Sequence, residues 1–209
     1  MTTAPENAVN SGVYAGGICG TANGGLIMNS LSQYSQSAKS QKSYIGGIVG
    51  YGEGASVQNV YTLGEISQKA VDYSQNDLIF AGGIAGENTD GNISGAVVIS
   101  PYIITDGYSG EVCAASEGGY VDNNYYLEKI FVSGNRADDA VSGNAQSADN
   151  LLKADFYIAP VSDGGLLGWM GSGEGEPVWV YSEKLAYPLP VLYGVDNQNV
   201  FTLPRGIKK

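Results

Sequence analysis

Short apolar runs alternate with polar, glycine-rich stretches along the first 126 residues, and one pattern returns four times. The runs read YAGGICG at Tyr14–Gly20, YIGGIVG at Tyr44–Gly50, FAGGIAG at Phe80–Gly86 and a decayed YSGEVCA at Tyr108–Ala114. Each is too short for a helix and is flanked by helix breakers. Ile, Val and Tyr suit a pleated, half-buried surface, so the pattern predicts short strands. A unit that recurs every 28 to 36 residues is too small to bury its own apolar face and must stack on its neighbours.

Aligned on the glycine pair, the copies agree column by column. The aromatic column is Tyr14, Tyr44, Phe80 and Tyr108. The pair follows as Gly16–Gly17, Gly46–Gly47 and Gly82–Gly83, reduced to Gly110–Glu111 in the last copy. Next come the β-branched column Ile18, Ile48, Ile84 and Val112, and the small column Cys19, Val49, Ala85 and Cys113. Further on lie Ile27, Val57, Ile93 and Val121, then Asn29, Asn59, Gly95 and Asn123. Two or three strands in a period near thirty suit one coil of a parallel β-helix. The expected architecture is therefore all-β: a short right-handed parallel β-helix, a solenoid of about four coils over residues 1–132. Residues 133–209 are expected to form a linker and an irregular C-terminal cap.

Several local expectations follow. Coils ~4.8 Å apart stack the aromatic column ring on ring. Glycines at fixed positions serve corners where positive φ or close backbone approach excludes a Cβ. Asn29, Asn59 and Asn123 fit a corner ladder in the left-handed conformation. Cys19 and Cys113 share a column three coil steps apart, ~14 Å, well beyond the ~7 Å Cα limit for a disulfide, which predicts two free thiols. The Ser-, Gln- and Lys-rich stretches 32–43 and 67–79 read as solvated inserts, the places where a solenoid carries binding. Residues 133–150 read as a long loop, with Ser147 and Asp149 opening a short helix through Leu151, Leu152 and Phe156. Trp169, Trp179, Tyr181, Tyr187 and Leu192 are expected to cover the open end of the stack. Trp169 and Trp179 are also the candidate ligand-binding rings.

Composition narrows the chemistry. Of 209 residues, 31 are glycine, and 21 acidic residues against 10 basic ones leave a net charge of −11. Such a surface repels phosphate backbones and anionic lipid, so neither nucleic acid nor membrane is an expected partner. The chain has no histidine, which excludes a Ser-His-Asp triad, a Cys-His dyad and an HExxH zinc site. The glycine runs lack a following Lys-Ser/Thr, so they do not form a phosphate loop. The carboxylates at Asp138–Asp139 and Glu174–Glu176 have no sequence reason to converge as a glycosidase pair. Asp90-Gly-Asn92 and Asp122-Asn-Asn124 admit Ca²⁺, but no EF-hand or nonapeptide repeat is present. No catalytic residue and no cofactor are expected.

The stretch Tyr44–Ile66, YIGGIVGYGEGASVQNVYTLGEI, resembles a GLUG motif, a repeat of bacterial surface proteins with the form GGIVGxNxGxIxNCxxxG. The Tyr14 and Phe80 copies resemble it too, and the Tyr108 copy loosely. The cysteine that usually follows Asn is replaced by Ser30, Val60, Ala96 or Asn124. Val178–Leu192, VWVYSEKLAYPLPVL, is similar to the segment that often closes such arrays. GLUG repeats accompany the zinc peptidase domain of streptococcal immunoglobulin A proteases and occur in large adhesin-like proteins. The resemblance implies a non-catalytic, extracellular structural or adhesive module, part of a longer bacterial surface polypeptide with a host or cell-surface protein or glycan as partner. Two alternatives stand beside it: a carbohydrate-binding or sugar-active β-helix using Tyr and Trp rings, and a cytosolic solenoid scaffold.

Overall fold

A computed structural model describes residues 2–3, 12–72, 78–159, 166–169, 178–181 and 189–195. The chain begins with β1 (Thr2–Thr3). The first repeat supplies β2 (Val13–Gly16), β3 (Cys19–Asn23), β4 (Leu26–Ser32) and β5 (Gln36–Ser40). The second supplies β6 (Ser43–Gly46), β7 (Val49–Glu53), β8 (Ser56–Thr62) and β9 (Ile66–Ala70). The third holds β10 (Ile79–Gly82), β11 (Ala85–Thr89), β12 (Asn92–Val98) and the long β13 (Tyr102–Gly110), which runs on into the fourth copy. Then come β14 (Cys113–Glu117), β15 (Tyr120–Asp122), β16 (Tyr125–Leu127), β17 (Phe131–Asn135) and β18 (Asn144–Gln146). Two short helices, α1 (Ala148–Leu151) and α2 (Ala154–Ile158), precede the hairpin of β19 (Trp179–Tyr181) and β20 (Pro190–Leu192).

The fold is all-β, with parallel sheets in a nearly closed, barrel-like or solenoid arrangement. One sheet runs β1-β5-β9-β13-β10-β6-β2 with β17 on β13. A second runs β14-β11-β7-β3, and a third β18-β16-β12-β8-β4 with β15 on β12. Their registers reproduce the sequence columns. Tyr14 pairs with Tyr44, Tyr44 with Phe80, and Phe80 with Tyr108. Cys19, Val49, Ala85 and Cys113 are joined in the same way, as are Ile27, Val57, Ile93 and Val121. Between the sheets lies an apolar interior of Ile48, Val49, Val57, Val60, Ile84, Ala85, Ile93, Val98 and Val112, among others. Ile18 begins the same column but is exposed, because it belongs to the outermost layer.

The glycine pair is needed for close backbone approach. A Cβ on Gly17 would collide with the Gly47 carbonyl, one on Gly47 with the Gly83 carbonyl, and one on Gly83 with the Glu111 carbonyl. Glu111 stands at the end of that column and turns its carboxylate to Arg136, 3.0 Å away. The decay of the fourth copy thus has a steric reason. Among the described residues no further glycine pair stacks on Glu111, and the next layer is instead the segment at Val141, whose carbonyl accepts from Val112 and Cys113. The asparagine corner is also as expected, with left-handed φ of 49° at Asn29, 51° at Asn59, 62° at Gly95 and 50° at Asn123. Both cysteines are free.

Three expectations need correction. The stretches 32–43 and 67–79 are not simply inserts, because β5 and β9 lie within them and pair in parallel from Gln36–Ile66 to Ser40–Ala70. Their inward positions alternate with exposed Lys39 and Lys69, and they are filled by Ala38, Ser40, Gln68 and Ala70. Thr105 Oγ1 donates to Gln68 Oε1 at 2.7 Å, so the interior on this side includes a satisfied polar pair. Residues 133–150, expected as a loop, carry the end of β17 and then β18, which pairs with β16. The short helix expected from Ser147 is present as α1, with Ser147 capping it by accepting from the Asn150 N–H. It stops at Leu151, and Phe156 lies in the separate α2.

The third correction concerns the C-terminal segment, which covers a flank of the stack. The left-handed corner residue reverses the alternation along β4, β8 and β12. That turns Leu31, Tyr61 and Val97 outward, with Tyr125 in the next layer. Leu151, Leu152, Phe156, Tyr157, Leu167, Trp169, Trp179 and Leu189 pack against this stripe. An apolar column spanning every repeat demands a lateral partner, and the C-terminal segment is that partner.

Candidate functional site

The aromatic column forms a ladder. Ring centroids are 5.2 Å apart for Tyr14–Tyr44 and 5.3 Å for both Tyr44–Phe80 and Phe80–Tyr108, with interplanar angles of 18°, 3° and 21°. Parallel pairing places one ring over the next, at a spacing that offset stacking favours. Lys42 Nζ lies 5.4 Å from the Tyr44 ring centroid. Burial pushes the Tyr44 phenol up to about 12, helped by the Glu87 carboxylate and by Tyr14 and Tyr51. Tyr44 is therefore a neutral hydroxyl at physiological pH.

Next to the ladder runs a second in-register column, Thr21, Tyr51, Glu87 and Ala115. In the lower half Tyr51 fills the angle, meeting Tyr44 edge-on at 5.4 Å and Tyr14 at 6.2 Å. In the upper half the ring is replaced by Glu87 and then by Ala115. A cleft of about 510 Å³ opens there. Phe80, Tyr108 and Ala115 supply its apolar part, Glu87 and Glu117 come from β11 and β14, and the segment Arg136–Asp139 forms the remaining wall.

The cleft is acidic. Arg136 is held at its rim by Glu111 at 3.0 Å and by the Ser142 hydroxyl. Asp139 Oδ2 accepts the Ser116 backbone N–H at 3.1 Å, which fixes the wall to β14. Among the described residues Glu87, Glu117, Asp138 and Asp139 have no ion-pair partner within 4 Å. The Glu87 carboxyl is raised above its ordinary range by burial and by the charges of Asp139 and Glu117, with Lys42 acting in the opposite sense. For Glu111, burial works upward, but the Arg136 hydrogen bond and its accompanying contacts outweigh it and hold the carboxyl low. Cys113 is not a reactive thiol: burial pushes it up to about 12, and its Sγ donates to Ala115 O at 2.8 Å.

The rings expected to bind ligand lie elsewhere. Trp169 and Trp179 are 3% and 0% exposed. Their ring centroids are 4.9 Å apart, and they pack on Tyr61 at 6.1 and 5.7 Å. Trp179 Nε1 donates to Asn29 Oδ1 at 3.2 Å, across 150 residues, and Tyr61 Oη donates to Pro190 O at 2.8 Å. Both tryptophans are core residues of the flank and offer no open ring face. Of the Ca²⁺ candidates, Asp90 occupies a left-handed turn position, and Asn92 Oδ1 accepts the Tyr120 N–H at 3.1 Å. Among the described residues no three Asp, Glu, Cys or His side chains gather as a metal site. Tyr187 and Glu174–Glu176 lie outside the described residues.

Sequence reasoning missed Glu87, Glu117 and Arg136 and gave Asp138–Asp139 no place to converge. A signal did exist: Glu87 is a charged residue in the column that holds Tyr51. Comparison with protein-family models, with curated proteins and with solved structures gives no match.

Proposed function

We propose that this chain is a non-catalytic structural and adhesive module of a bacterial surface protein. On this reading it is a short right-handed parallel β-helix of about four coils, with a C-terminal cover lying along one flank. The observation that carries it is the investment of the repeat residues in stacking. The aromatic column packs ring on ring, the glycine pair packs backbone on backbone, and the asparagines turn the corners. A solenoid of this kind presents a long rigid surface and spaces whatever it is joined to. The resemblance of Tyr44–Ile66 to GLUG repeats supplies the setting. The test is labelling of intact and permeabilised source cells with an antibody against this chain. Labelling of intact cells supports the reading; labelling only after permeabilisation favours the cytosolic scaffold.

The sugar-binding alternative now has a different geometry to satisfy. With both tryptophans buried, the aromatic pair that lines a cleft is Phe80 and Tyr108, and the sugar reading moves to that pair. A glycan array on the intact chain separates the two, since binding lost in Tyr108→Ala favours the sugar reading.

A further inference from the structure

We propose that the cleft beside Phe80 and Tyr108 binds a lysine or arginine side chain of a basic peptide segment. The inference goes beyond the module reading and does not depend on where the chain works.

Size decides first. About 510 Å³ falls in the range of organic-ligand clefts and far exceeds what a metal ion occupies. The carboxylates are also not gathered as metal ligands among the described residues. Charge decides next. The cleft lining holds four carboxylates, Glu87, Glu117, Asp138 and Asp139, and its single guanidinium, Arg136, is already engaged by Glu111. Asp139 and Glu117 both act on Glu87 in the sense that disfavours its charge, and Lys42, outside the lining, offsets them only in part. A cation relieves that repulsion, whereas a neutral sugar leaves it in place. Shape decides last. Long basic side chains carry an apolar stem and a charged head, and this cleft is lined both by Phe80, Tyr108 and Ala115 and by the carboxylates Glu87, Glu117, Asp138 and Asp139. Arg136 supplies an internal example, its guanidinium bonded to the Glu111 carboxylate and the Ser142 hydroxyl at the rim.

The cleft also has a structural origin that makes it removable. It exists because the Tyr51 ring is not repeated at Glu87 and Ala115. Glu87→Tyr restores the ring and is expected to close it.

The experiment is fluorescence anisotropy of labelled hexa-arginine and hexa-lysine with the full chain, at two salt concentrations. Hexa-glutamine and a neutral oligosaccharide serve as comparators. The expected result is binding of the basic peptides only, weaker at high salt. Glu87→Gln, Asp138→Asn and Glu87→Tyr should each weaken it about tenfold or more. Glu53→Gln, an exposed carboxylate of the same sheet outside the cleft, should leave it unchanged. Asp138 is exposed on a loop, so its variant folds even if a Glu87 variant does not, and the thermal midpoint of each variant is checked. No binding of the basic peptides overturns the proposal. So does equal weakening by Glu53→Gln, which means a diffuse acidic surface, or salt-insensitive binding of the oligosaccharide in their place.

Discussion

The molecule contains two aromatic assemblies that are built in opposite ways. The ladder of Tyr14, Tyr44, Phe80 and Tyr108 takes one ring from each repeat, and its spacing barely varies, from 5.2 to 5.3 Å. The flank cluster takes Tyr61 and Tyr125 from one repeat column and Phe156, Tyr157, Trp169 and Trp179 from the chain beyond the repeats, and its rings meet at angles from 12° to 79°. Repetition alone generates the first, because parallel pairing carries any residue onto its counterpart ~4.8 Å away. Burial generates the second, because an outward apolar stripe recruits whatever large rings the remaining chain provides. The ladder is partly open along its length; the cluster is closed.

Substitutions separate the two assemblies by size of effect. The largest belongs to the cluster. Trp179→Ala removes a fully buried ring and the hydrogen bond to Asn29, and it should cost about 3–5 kcal/mol in urea unfolding. Hydrogen exchange should show the loss concentrated in the flank, with the sheet interior still protected. A cost below about 1 kcal/mol would mean that the flank is not a core.

A similar comparison applies within the glycine column. Gly47→Ala forces a Cβ into the Gly83 carbonyl and the Thr62 side chain and should cost about 3 kcal/mol, at the upper end of overpacking. Glu111→Gly, at the end of the same column, should cost far less. Equal costs in chemical denaturation would refute the steric account of the decayed fourth copy. For the ladder, Tyr44→Leu keeps an apolar side chain but removes two stacked contacts and one edge contact. About 1–2 kcal/mol of destabilisation is expected, detectable by calorimetry.

The smallest effect is electrostatic. The Glu87 carboxyl is raised in the folded chain by burial and by Asp139 and Glu117, so ionising it costs more in the folded state than in the unfolded one. That penalty is present above the raised value and vanishes as pH falls below the ordinary glutamate range of about 4. Glu87→Gln should therefore raise the melting temperature at neutral pH, and the gain should disappear in acid. A gain that persists in acid would point to packing as its source.

Legibility in the sequence follows the same division. The pairing columns, the left-handed asparagines and the free cysteines were readable because each is fixed by local chemistry repeated at a regular interval. Strands β5 and β9 were harder to read, because Ser, Gln and Lys obscure a period-two pattern whose inward positions are merely small, such as Ala38, Ser40 and Ala70. The lateral seat of Trp169 and Trp179 was not readable: it depends on a parity reversal at Asn29 and Asn59 that turns Leu31 and Tyr61 outward. The acidic cleft needed β11, β14 and the wall after β17 to be brought together, and no interval in the sequence encodes that meeting.

The central claim is the register that joins Cys19 to Val49, Val49 to Ala85 and Ala85 to Cys113. Oxidation of Val49→Cys followed by peptide mass mapping tests it most directly. Neighbouring positions lie ~4.8 Å apart, within the Cα window of a disulfide, whereas two steps exceed it. The predicted product links Cys19 to the new thiol at position 49 and leaves Cys113 free. A link between position 49 and Cys113, or between Cys19 and Cys113, would contradict the stacking order.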